Sequence, residues 1–126
     1  MPKSIPTGPG IPESQLPFSS VVEANGLVFL AGQIGDAPGS NGPVEGGIEA
    51  ETRAMLENVG RLLKAVGLDY RDVVKCTVYI TDFDEFAAMN GVYREFFPTD
   101  MPTRATVEVG RLALGAKIEI EVTAAR

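Results

Sequence analysis

Two stretches near the C-terminus hold the residues best suited to chemistry. Pro102-Thr103-Arg104-Ala105-Thr106-Val107-Glu108-Val109 and Lys117-Ile118-Glu119-Ile120-Glu121-Val122 each alternate polar and apolar side chains. That is the period of a strand with one face in a core and the other turned to water or a ligand. A guanidinium holds a carboxylate through two parallel hydrogen bonds, and a nearby carboxylate steers and deprotonates water. Arg104 and Glu119 therefore suit the capture of a small anionic substrate and the delivery of water to it. If the seven residues from Gly110 to Ala116 fold the strands back antiparallel, a register pairing Thr106 with Glu119 puts both polar sets on one face. Arg104 then lies diagonally near Glu119. Pattern alone favours a plainer reading of this pair, a solvated cross-strand ion pair that contributes little.

Composition narrows the chemistry further. The chain has no histidine, which excludes Ser-His-Asp and Cys-His mechanisms and His-ligated metals. Its one cysteine, Cys76, excludes an intrachain disulfide and a Cys-rich zinc site. Cys76 alternates with Val74, Val78 and Ile80 and reads as a small apolar core residue rather than a reactive thiol. A formal charge of -6 speaks against nucleic acid as a partner, because phosphate binding needs concentrated Lys and Arg. The longest uninterrupted apolar run, Leu27 to Ala31, is far short of the roughly 20 residues that span a bilayer, so no membrane is expected. No targeting segment is apparent, and a reducing cytoplasm is the expected compartment.

The 126 residues make one domain, 1–126, large enough to bury a core unaided. Residues 1–17 carry Pro2, Pro6, Pro9, Pro12 and Pro17, which rules out a regular helix and predicts an extended arm lying on the body. Asn25-Gly26 between two apolar runs predicts a hairpin with a type I′ turn. A Gly- and Pro-rich loop from Asp36 to Gly47 follows, with a short strand near Pro43-Val44. Met55, Leu56, Val59, Leu62, Leu63 and Val66 repeat at helical spacing, which predicts a helix from about Ile48 to Val66, with Glu49 and Glu51 in its first turn and Gly67 past its end. Gly60 inside that helix costs about 1 kcal/mol relative to Ala and implies close packing there. Val73 to Thr81 alternates as a central strand with Val74, Cys76, Val78 and Ile80 inward. Asp82 and Glu85 resemble a capping box opening a second helix through Phe97, which Pro98 stops. The expected fold is an α+β sandwich: a mixed sheet with two helices on one face.

At this point the residues carry a family. Pro17-Phe18-Ser19-Ser20, Ala31-Gly32-Gln33-Ile34, Thr52 to Asn58, Asp72 to Val78, Asn90-Gly91-Val92-Tyr93, Pro102 to Val109 and Ile118 to Glu121 resemble, in order and spacing, the RidA (YjgF) family over nearly everything after Pro17. The resemblance implies a chorismate-mutase-like fold, a homotrimeric barrel with clefts between subunits. It also implies a cofactor-independent deaminase that hydrolyses 2-aminoacrylate and related 2-imino acids to 2-keto acids and ammonia, with no metal.

On that resemblance Arg104 and Glu119 are the catalytic residues. Arg104 clamps the substrate carboxylate, and Glu119 orients and deprotonates water and returns a proton to nitrogen. Thr106, Gly32, Ala31, Phe18 and Asn90 complete the substrate site. Three positions depart from what deaminating members often have there: Phe18 for Tyr, Ala31 for Ser and Thr106 for Cys. The departures leave open a second reading, a non-catalytic binder or sensor of small 2-keto acids in the same cleft. A third, nuclease or translation inhibitor, is disfavoured by the acidic charge and the lack of histidine.

Overall fold

In a computed structural model that describes residues 2–126, five strands and two helices follow one another as β1 (Val21–Ala24), β2 (Leu27–Ile34), α1 (Gly47–Ala65), β3 (Val73–Ile80), α2 (Phe86–Phe96), β4 (Thr103–Glu108) and β5 (Ile118–Ala125). The sheet order is β1-β2-β5-β3-β4, antiparallel except for the parallel pair β3 and β4. Asn25 and Gly26 take φ of 52° and 77°, the left-handed values that the β1–β2 turn demands. One sheet face is apolar and covered by helices: Val28, Leu30, Cys76, Val78, Ile118, Ile120 and Val122 are buried together with Met55, Leu56, Val59 and Met89. The other face leaves Leu27 and Phe29 exposed. The arm reaches the sheet through a two-way backbone pairing of Ser4 with Glu23.

The two closing strands do not form the expected hairpin. β5 is inserted between β2 and β3, and β4 lies parallel on the far side of β3. A helix between β3 and β4 returns the chain to the same end of the sheet, so these two strands run parallel. Buried residues on every second position of β5 suit a strand flanked on both sides, whereas the partly exposed β4 suits an edge. Three smaller expectations also change. A register shift between Val73 and Lys75 turns Val73 inward and leaves Val74 44% exposed. Pro43 forms only an isolated bridge to Asp36. Asp82 accepts the Asp84 N–H and so caps a single 3-10 turn, while Glu85 turns away to Lys117, 3.7 Å distant; no reciprocal capping box forms.

Helix α1 ends as its residues dictate. Gly67 takes φ of 80°, its N–H donates to Lys64 O and the Leu68 N–H donates to Leu63 O, a Schellman closure. Near the helix start, Glu51 is buried and accepts the Lys117 N–H at 2.9 Å, tying α1 to the entry of β5 rather than serving the helix dipole. Gly60 has the close neighbour its position implied: a Cβ there would lie 2.1 Å from the Tyr70 hydroxyl, which donates to Leu56 O at 2.7 Å. Burial pushes that phenol up to about 12, so it stays a donor. Gly60→Ala gains about 1 kcal/mol of helix propensity but forces the ring out, at about 1–3 kcal/mol for the overlap and about 1 for the lost bond. The net expectation is a loss of about 1–3 kcal/mol, measured by urea unfolding.

Candidate functional site

Paired residues on neighbouring strands share a face, and residues an odd number apart along a strand lie on opposite ones. Cys76 pairs with Arg104 on one side and Val122 on the other, while Tyr79 pairs with Val107 and Glu119. Arg104 and Thr106 therefore point to the helix side of the sheet, and Glu119 points to the open side. The expected diagonal contact between Arg104 and Glu119 is absent: β3 stands between their strands and they occupy opposite faces. Nor does Thr106 pair with Glu119; its partner is Val78.

The candidate residues fall into two groups. In the first, half-buried Arg104 rests its guanidinium 4.6 Å from the Tyr93 ring centroid and 5.6 Å from that of Phe86. Cation–π attraction to the two rings limits where that side chain can go. Arg104 lines a cavity of about 200 Å³ with Asn90, Tyr93, Arg94, Met101 and Pro102. Asn90, Tyr93 and Arg94 share one face of α2 through their i, i+3, i+4 spacing. Thr106 follows Arg104 by two residues on the same face. Among the described residues no carboxylate lies within 4.0 Å of the Arg104 guanidinium, so the surface ion pair that pattern alone favoured does not form.

In the second group Glu119 lies against Gly32, where a Cβ would meet Glu119 Oε2 at 2.2 Å. Only glycine leaves that carboxylate its place. The shift in the β2–β5 pairing between Leu30 and Gln33 makes a bulge at Ala31 and Gly32, with the Ala31 N–H donating to Ser20 O and its carbonyl accepting from the Gln33 amide. Phe18 stands at the end of the arm, 54% exposed.

Burial, and secondarily the neighbouring Glu121 carboxylate, pushes the Glu119 carboxyl above its ordinary range, toward the range in which a carboxyl can exchange protons near neutral pH. The folded chain thus holds that proton more tightly than the unfolded chain. This contribution to stability is full below the unfolded value of about 4.5 and is lost as pH rises through the folded one. Glu119→Gln should therefore raise Tm at pH 7, by roughly 1–2 °C because the group is partly solvated. The gain should vanish below pH 4.5, as calorimetry across pH would register.

Cys76 is buried, and burial pushes its thiol up against weaker opposing effects of Tyr93 and Arg104, which keeps it unreactive. The Tyr93 hydroxyl is buried without a well-formed hydrogen bond, and its ionisation is pushed far up, chiefly by burial. Sequence reasoning gave Phe86 only a place in the second helix and Tyr93 only a place in a family block, with no role in the site for either, and passed over Arg94 and Met101. The helical spacing of Asn90, Tyr93 and Arg94 was the signal that could have joined them to Arg104.

The chain matches the family model described as Endoribonuclease L-PSP over residues 10–126. It is 43% identical over 108 residues to Reactive Intermediate Deaminase A, chloroplastic, of Arabidopsis thaliana, covering 86% of this chain and 58% of that protein. It is 39% identical over 108 residues to the human 2-iminobutanoate/2-iminopropanoate deaminase, covering 86% of this chain and 79% of that one. Among solved structures, E. coli TdcF with bound serine superposes with a TM-score of 0.88 at 36% identity, covering 98% of each chain. The E. coli YjgF product does so with a TM-score of 0.85 at 34% identity, covering 93% of this chain and 94% of that one. A mixed five-stranded sheet with both helices on one face, the two residue groups on β4–α2 and β2–β5, and these matches along nearly the whole chain have one reading: the chain belongs to the RidA/YjgF family.

Proposed function

We propose that this protein is a cofactor-independent deaminase that hydrolyses small 2-imino acids, 2-aminoacrylate among their enamine forms, to 2-keto acids and ammonia. The observation that carries the proposal is the Arg104 guanidinium, free of any carboxylate within 4.0 Å among the described residues, propped on two aromatic rings at a concave surface. An unpaired, oriented guanidinium suits an incoming carboxylate. The human relative's name points to the same substrate class, and the plant relative's to a deaminase. Helix-side Arg104 and open-side Glu119 come together when copies of the chain close into a homotrimer, each cleft taking Arg104, Thr106 and Asn90 from one protomer and Glu119, Gly32, Ala31 and Phe18 from its neighbour.

In such a cleft Arg104 fixes the carboxylate and so turns the adjacent C=N carbon toward water. Water oxygen bonds to that carbon while Glu119 accepts one of its protons. The C=N electron pair moves to nitrogen, which takes that proton back from Glu119 to give a carbinolamine. Glu119 then takes the carbinolamine O–H proton and passes it to nitrogen as the C–N bond breaks, leaving a ketone and ammonia. Aligning the water does most of the work. The family description names an endoribonuclease, but a charge of -6 and the lack of histidine weigh against RNA cleavage. Among the described residues no helix is long and apolar enough to cross a membrane, and the single buried thiol suits a reducing cytoplasm.

The test supplies imine in situ from an amino-acid oxidase and measures keto-acid release above the buffer rate. Acceleration supports the deaminase. Release no faster than in buffer, with keto acids still raising Tm, replaces it with the binder reading.

A further inference from the structure

Arg94 belongs to the Arg104 cavity and was not among the candidate residues. Arg94, Arg104 and Asn90 line the cavity, and no Asp or Glu is among its lining residues. In a chain with 17 acidic against 11 basic residues this is a local reversal of sign, and a concave wall concentrates such a field. Neither guanidinium has a carboxylate within 4.0 Å among the described residues. The nearest acidic group in sequence, Glu95, is drawn off by Arg53 in a two-pronged pair at 3.0 and 3.1 Å, so it does not neutralise Arg94. Tyr93, whose ring carries the Arg104 guanidinium, is the residue next to Arg94 on α2. Two cationic residues lining one small cavity, neither neutralised, suit an anion with two charged ends.

Resting on the deaminase reading, we propose that the preferred substrates are 2-imino dicarboxylates: the carboxylate next to the imine sits on Arg104, and the distal carboxylate sits on Arg94. The reaction class that supplies them is two-electron oxidation of the α-amine of acidic amino acids, as by an amino-acid oxidase, and the product is a 2-keto dicarboxylate. Arg94 is exposed, so its replacement is compatible with folding.

The experiment compares 2-iminoglutarate with 2-iminobutanoate, each generated in situ by an amino-acid oxidase, for wild type, Arg94→Gln, Arg94→Glu and Arg94→Lys. The expected result is a wild-type preference for the dicarboxylate in kcat/KM. The ratio of the two substrates should drop about tenfold or more in Arg94→Gln and further in Arg94→Glu, mostly through KM, with partial return in Arg94→Lys and erosion of the preference by salt. A wild-type ratio at or below one, or a ratio indifferent to residue 94, overturns the assignment. If neither imine is hydrolysed, the deaminase reading falls and thermal shift with the keto acids decides this one separately. Stronger protection by 2-oxoglutarate than by 2-oxobutanoate, lost in Arg94→Gln, sustains the assignment; equal protection ends it.

Discussion

Mixing Arg104→Ala protein with Glu119→Gln protein, after mild dissociation and reassembly, restores imine hydrolysis that neither variant has alone. Arg104 and Glu119 point to opposite faces of one sheet with β3 between their strands, so one chain cannot bring both to a single small substrate. In the proposed homotrimer a working cleft takes the guanidinium of one protomer and the carboxylate of the next. With random exchange between equal amounts of the two variants, about a quarter of the clefts in a closed trimer receive both intact groups. Activity should rise to about that fraction of wild type and stay near zero for each parent. Absence of any recovery, with exchange verified by mass spectrometry of tagged subunits, would refute the shared cleft.

Arg104 replacements carry the second large effect. Removing a two-pronged, charge-assisted contact to the substrate carboxylate should lower kcat/KM about a thousandfold in Arg104→Ala. Arg104→Lys keeps the charge but loses the planar fork and the guanidinium's cation–π contacts with Tyr93 and Phe86, and should retain only about one part in a hundred. Far-UV circular dichroism and solution mass should match wild type in both, because among the described residues the side chain makes no ion pair whose loss leaves a buried charge. A lysine variant as active as wild type would reduce Arg104 to a general source of positive field.

Elements with a local cause were legible in the sequence. Asn25-Gly26 declared the hairpin, Gly67 the end of α1, and Gly60 a close neighbour that proved to be Tyr70. Strand order was less so. The alternation of residues 103–108 and 118–125 identified two strands, but nothing local says which strand each one pairs with. The connection through α2 carried the information that β4 runs parallel to β3, and the short Gly110–Ala116 loop was the wrong guide. The consequence for the site was large: the identities of Arg104 and Glu119 came from their chemistry and the family pattern, whereas their separation onto two faces is a property of the sheet order alone. Tyr93, Phe86 and Arg94 were obscured because an apolar or charged residue on a helix has an ordinary explanation until the edge strand is seen to run beneath it.

The split of Arg104 and Glu119 between the two faces has a genetic side. In the proposed closed ring each subunit would lend its arginine to one crevice and its glutamate to another, so a copy damaged at both positions would spoil both of the crevices it touches. A cell carrying intact and doubly damaged copies of such a gene would lose more than half its activity from half its alleles, and the defect would behave as partly dominant.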